Sequence, residues 1–268
     1  MRLDKHSQWI GAIHAGDKAL LREMLAEDAS LANSAHAAFD DPYREERYPV
    51  STLLFAVAGP PSQQLDWRKI ERRPDLELVR ILLETGADPN VECGHGLPIC
   101  HVRDKELAQL LIQFGADVNR WTDCGGSPLF FSVWNADSER LRMQLELGAD
   151  VSMGDPRTGE SALHVACLQV PESLEHEASL LEVIGLLFDA GIDPNGRTMS
   201  DAESFALKGG PPLNEDTPLH LAAGFSGESI VRELVTRGCD LRLKNGNGQT
   251  PRDVAVNRQR PVNLVRSL

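Results

Sequence analysis

Cys93-Gly-His95 followed by Cys100-His101 places four zinc-type ligands within nine residues. Thiolate and imidazole are the donors a tetrahedral zinc ion prefers, so this cluster is the first place to look for chemistry. Its spacing does not repeat the paired Cys-x₂₋₄-Cys and His-x₃₋₅-His arrangements that converge on one ion. On a helix, the adjacent Cys100 and His101 would also point to different faces. No metal site is therefore expected, and no cofactor. Gly94-His-Gly lacks the third glycine of a dinucleotide fingerprint, and no Walker-type phosphate loop occurs. No serine sits in a Gly-x-Ser-x-Gly elbow. His14 and His36 have no recognisable partners in the sequence. The chain reads as non-catalytic.

Charge narrows the partner. Forty acidic residues against 27 basic ones give −13, which argues against nucleic acid or an acidic membrane and for a protein with a basic surface. No apolar run approaches the roughly 20 residues that span a bilayer. The polar start Met1-Arg-Leu-Asp-Lys-His lacks a signal-peptide stretch. Five scattered cysteines suit reduced thiols, and hence a cytoplasmic protein.

The elements that must position any site are announced by a recurring turn. Gly86-Ala-Asp-Pro-Asn, Gly115-Ala-Asp-Val-Asn, Gly148-Ala-Asp-Val-Ser, Gly191-Ile-Asp-Pro-Asn and Gly238-Cys-Asp-Leu-Arg each follow an apolar helical run. Upstream of Gly238, Ile230, Val231, Leu234 and Val235 form one apolar stripe. Before that stripe stands Thr217-Pro-Leu-His-Leu-Ala-Ala. Thr217 is suited to N-cap a helix, and Pro218 falls at the first helical position, where its missing N–H is harmless. Similar starts recur at Ser51, Leu97, Ser127, Ser161 and Thr250, with a degenerate one around Ser7 and Trp9.

This helix–turn–helix unit with its Thr-Pro-Leu-His-x-Ala start resembles the ankyrin repeat, whose period is about 33 residues. The resemblance covers nearly the whole chain. It implies a single all-α solenoid of about seven units, near residues 5–33, 51–90, 95–119, 125–151, 159–195, 215–241 and 248–268, with short β-turn fingers. It also implies a structural role for His164 and His220 at the motif's own Leu-His position. Helix starts are separated by 44, 46, 30, 34, 56 and 33 residues. These steps locate insertions at 34–50, 60–74, 170–179 and 197–214, and a third unit whose first helix should lose about one turn. The insert Trp67-Arg-Lys-Ile-Glu-Arg-Arg is densely basic and reads as an extended charged hairpin, a docking arm, or a contact for the acidic 34–50 loop.

Members of such a family grip other proteins on a concave face lined by finger turns and first helices. Carried onto this sequence, that face includes Trp121 and Asp123, Asp155 and Arg157, Trp134 and Asn135, and Phe225. The expected function is a protein-binding adaptor or inhibitor. Aromatic side chains beside Asp and Arg are the material of interface hot spots. Trp134 has a second reading, as a cover over the gap left by the short third unit or as a residue under an inserted loop. The alternative function is an enzyme or small-ligand binder with a pocket between the inserted loops.

Overall fold

The computed structural model describes residues 5–36, 50–51, 53, 56–57, 75–92, 96–122, 126–203 and 212–268. They fall into two compact units, residues 1–124 and 125–268.

In the first unit, α1 (Lys5–Ala15) and α2 (Lys18–Glu27) form a pair, followed by a 3₁₀ turn, Ala29–Asn33. A two-residue ladder joins β1 (Ala35–His36) to β2 (Val50–Ser51), antiparallel, with Ala35 opposite Ser51. Then come α3 (Leu76–Glu84), a 3₁₀ turn at Pro98–His101, and α4 (Lys105–Gln113). Each second helix begins on an aspartate. Asp17 accepts from Leu20 N–H, Asp75 from Glu77 and Leu78, and Asp104 from Leu107, which satisfies orphan donors and puts negative charge at the positive end of the helix. Trp9, Leu21, Leu82, Leu107 and Leu111 are fully buried. The deletion in the third repeat goes further than one lost turn: its first helix is reduced to the four-residue 3₁₀ turn. Val102 is already extended and Asp104 caps the next helix, so no residues remain for an α-helical turn.

The second unit carries four helix pairs: α5 (Pro128–Trp134) with α6 (Ser138–Glu146), α7 (Ala162–Leu168) with α8 (Leu174–Asp189), α9 (Pro218–Phe225) with α10 (Glu228–Thr236), and α11 (Pro251–Asn257) with α12 (Val262–Ser267). Ser127, Ser161, Thr217 and Thr250 are the N-cap residues of the first helices, where the sequence placed them. The insertion at 170–179 is not a loop. From Leu174 onward it is helix, making α8 16 residues long where α6 and α10 have nine. Ser173 caps it, and Glu175 and Glu177 lie in its first turn, a placement the helix dipole favours. Part of the 197–214 insertion forms a finger, β3 (Ser200–Ala202) paired antiparallel with β4 (Leu213–Asn214). The basic insert around Trp67 and most of the acidic 34–50 loop lie outside the described residues.

The recurring Gly-x-Asp turn has one geometry throughout. Gly148 adopts φ +94, the left-handed conformation that ends a helix without a Cβ penalty. Ala149 N–H then reaches back to Gln144 O at 2.9 Å, closing the wide loop of a Schellman turn. The same bond recurs as Ala87 to Leu82, Ala116 to Leu111, Ile192 to Leu187 and Cys239 to Leu234. The aspartate accepts the N–H two residues on, as Asp88 does from Asn90 at 2.8 Å and Asp193 from Asn195 at 2.9 Å. The final asparagine links one turn to the next. Asn90 donates to Gly115 O at 2.7 Å and accepts from Asp117 N–H at 2.8 Å, and Asn33 bonds Gly86 and Asp88 in the same way. Asn195 accepts from Asp240 N–H. Ser152 replaces the asparagine in its turn, and its hydroxyl folds back onto its own Asp150 at 2.6 Å.

Candidate protein-binding face

In the second unit, the starts of α7 and α9 are each fastened to the finger that follows. His164 Nδ1 accepts from Ser161 N–H at 3.0 Å, and Nε2 lies 3.1 Å from Asp216 O. His220 repeats the pattern with Thr217 at 3.2 Å and Gln249 O at 2.9 Å. A carbonyl can only accept, so both rings carry the proton on Nε2 and are neutral. Burial pushes the His164 pKa down to about 4, against an opposing pull from the Asp216 carbonyl. His220 is lowered for the same leading reason. These histidines are structural clamps.

The fingers themselves are laced together. Met199 N–H donates to Thr158 O at 2.7 Å, Thr198 N–H to Asp216 O at 3.0 Å, and Gly246 N–H to Asn214 O at 2.7 Å. Asn245 Nδ2 donates to Asp216 Oδ1 at 2.8 Å. A laced row of this kind presents its exposed side chains at fixed spacing, with little ordering left to do on binding.

Of the residues singled out from the sequence, Trp134 is 44% exposed at the end of α5. Val170, 64% exposed, follows Gln169, whose Nε2 donates to Val133 O at 2.8 Å and so holds this segment beside the end of α5. Arg157 projects from its turn with its side chain 57% exposed. Phe225 is half-buried.

Two candidates are engaged within their own turn or helix end. Asp155 is not a tip residue: it is 2% exposed, and its carboxylate accepts from Arg157 N–H at 2.7 Å and pairs with the Arg157 guanidinium at 3.0 Å. The acid builds the turn from inside because that turn needs an internal acceptor. Asn135 caps α5, donating from Nδ2 to Phe131 O at 2.7 Å. Trp121, in the first unit, is half-buried, and Asp123 lies outside the described residues. So do Cys93 and His95. Cys100 is buried, and among the described residues no three His, Cys, Asp or Glu side chains gather as a metal site would require.

No motif in the sequence points to Arg258. Its guanidinium lies 4.1 Å above the centre of the Phe225 ring. Gly224 makes that possible, since a Cβ there would stand 3.1 Å from Arg258 Cδ. Beside this pair opens a cleft of about 130 Å³, with Leu213, Phe225 and Val254 as apolar wall and Asn245, Gln249 and Arg258 among its polar lining. The only hint in the sequence is the glycine itself, a small residue next to an aromatic one.

Paired helices closed by left-handed glycines and joined by laced fingers define a stacked helix–turn–helix repeat array. Comparison with known proteins gives the array its family. The model for ankyrin repeats in many copies matches residues 100–143, and the single ankyrin-repeat model matches 214–246. The chain is 30% identical over 192 residues to human ankyrin repeat and SOCS box protein 16, covering 69% of this chain and 38% of that protein. It is 27% identical over 198 residues to the Mus musculus B-cell lymphoma 3 protein homolog, covering 71% and 39%. Protein PhlB of Serratia liquefaciens matches at 35% over 107 residues, 38% of this chain and 46% of the relative. The chain thus spans less than half the length of these relatives. It is an ankyrin-repeat protein. Ankyrin repeats are in general protein–protein interaction modules, and no described helix is long and apolar enough to cross a membrane.

Proposed function

We propose that this chain is a non-catalytic adaptor or inhibitor that grips a partner protein through the face carrying the finger turns and first-helix ends. The observation that carries this reading is Trp134. A large aromatic ring left 44% exposed on a helix end leaves area for a partner to cover. Val170 and Leu174, the latter 84% exposed, extend the apolar surface along the inserted segment, with Glu172 and Glu175 exposed beside them. Apolar anchors rimmed by carboxylates, on a chain of net charge −13, favour a partner with a basic surface at this position. They disfavour nucleic acid and an acidic membrane. Burial raises the pKa of the Cys167 and Cys239 thiols, Cys239 up to about 12, so both stay protonated and inert; a cytoplasmic location is part of the proposal.

Affinity capture from the native lysate tests the proposal, repeated with Trp134→Ala and Trp121→Ala. Loss of a specific captured protein with Trp134→Ala, at unchanged thermal stability, is the expected result. Retention of every captured protein by the Trp134→Ala variant would remove this residue from the interface and the reading with it.

A further inference from the structure

Charge is distributed unevenly along this acidic chain. Residues 237–268 hold seven arginines and lysines against two aspartates, a net +5, so the remaining residues hold −18. The cationic stretch includes the last described helix pair, and the cleft between α9 and α11 opens on it.

Most arginines of the second unit answer to a carboxylate. Arg142 pairs with Glu182, Arg232 with Glu228, and Arg237 with Asp189 and Glu233. Arg258 forms no ion pair among the described residues, although it is held in one orientation by Phe225 below and by the room over Gly224. A guanidinium lying flat on an aromatic ring keeps its edge N–H donors directed sideways, the geometry that takes a carboxylate in bidentate fashion. Asp216 also lines the cleft, but it is already engaged: Oδ1 takes Asn245 Nδ2 and Oδ2 takes Asn214 N–H. Its neighbour His220 is neutral and bonded at both nitrogens. The cleft therefore combines an apolar wall, amide groups from Asn245 and Gln249, and one unanswered positive charge at its rim.

We infer that this cleft takes an acidic peptide segment of a partner protein, an apolar or aromatic side chain lying against Phe225 and Val254 and a neighbouring Asp or Glu carboxylate paired with Arg258. The inference rests on the reading that this face binds proteins, and it names the chemistry of one part of it. Its electrostatic preference is opposite to that of the Trp134 region. A partner engaging both must present basic and acidic stretches in that order along the row of helix ends.

The test is selection of a displayed random twelve-residue peptide library on the immobilised full chain. Selected peptides are then synthesised with a fluorophore and titrated by anisotropy. Sequences pairing Asp or Glu with a large apolar residue are expected to be enriched. Their affinity should fall about tenfold or more with Arg258→Glu, less with Arg258→Lys, and decline with added salt. Trp134→Ala should leave these peptides bound, so loss of lysate capture in that variant and loss of peptide binding in Arg258→Glu report on different regions. Should Arg258→Glu lower the melting temperature, Arg258→Gln, which keeps most of the stem, carries the measurement instead. No enrichment of acidic residues over their library frequency, or affinity indifferent to Arg258→Glu and Arg258→Gln, would overturn the inference while leaving the Trp134 reading standing.

Discussion

Lowering the pH tests the clamp at His164 directly. The ring is 0% exposed, and burial holds its pKa at about 4 where an unfolded histidine has about 6.5. Because the folded value lies below the unfolded one, the unfolded chain binds the proton more readily. The stability gained from keeping the ring neutral is complete above about pH 6.5 and is lost progressively as pH falls towards 4. A shift of this size corresponds to about 3 kcal/mol in full, and to about 2 kcal/mol at about pH 5. The structure supplies the reason. Nδ1 must accept from Ser161 N–H, and a protonated ring would face that donor with another N–H. Urea denaturation of the wild type and His164→Gln, at about pH 7.5 and about pH 5, separates this residue from every carboxylate the two proteins share. His164→Gln should be less stable at the higher pH, yet lose about 2 kcal/mol less on acidification. Ring NMR signals give the same quantity without unfolding. A His164 ring that titrates near 6.5 in the folded protein, or identical pH slopes in the two proteins, would refute the assignment.

Three further perturbations address the turns and the face. Gly148→Val puts a β-branched residue at φ +94 with nothing within 4 Å of its Cβ, so only the backbone penalty of about 1–2 kcal/mol should appear in the urea midpoint. An unchanged midpoint would count against that backbone assignment. Ser152→Asn should restore the bonds Asn90 makes to the following turn, raising stability by about 1 kcal/mol at a net worth of about 0.5–1.5 kcal/mol per hydrogen bond; a midpoint that does not rise would show that Ser152 leaves no link missing. Trp134→Ala should leave the melting temperature within about 2 °C of wild type, the effect of a surface substitution; a larger fall would make Trp134 part of the packing.

The repeat was legible in the sequence because each of its parts has a local cause. Thr217, Thr250, Ser127 and Ser161 announce helix starts by capping chemistry, and Gly86 to Gly238 announce helix ends by the left-handed turn. What escaped were consequences of context. Pro171 and the acidic run after it look like a loop, yet the same acids stabilise the N-terminus of α8 once Ser173 caps it. Asp155 looks like an exposed tip because aspartate favours turns. Only the folded turn reveals that its carboxylate points inward to Arg157. Arg258 and Phe225 stand 33 residues apart with no motif to join them, and stacking of one repeat on the next brings them together.

The clamps and turn links also have a direction. His164 bonds the carbonyl of Asp216, His220 that of Gln249, and Asn90 the turn at Gly115, always towards the C-terminus. A ribosome makes the chain in the same direction, so each repeat emerges before the group that completes it. At about 5–20 residues per second, His220 waits a few seconds for Gln249, and His164 waits longer, because the 197–214 insertion lies between it and Asp216. Among these links, Asn33 and His164 wait longest, for partners 53 and 52 residues on, so the first and fifth repeats are completed only when a distant stretch of chain has been made.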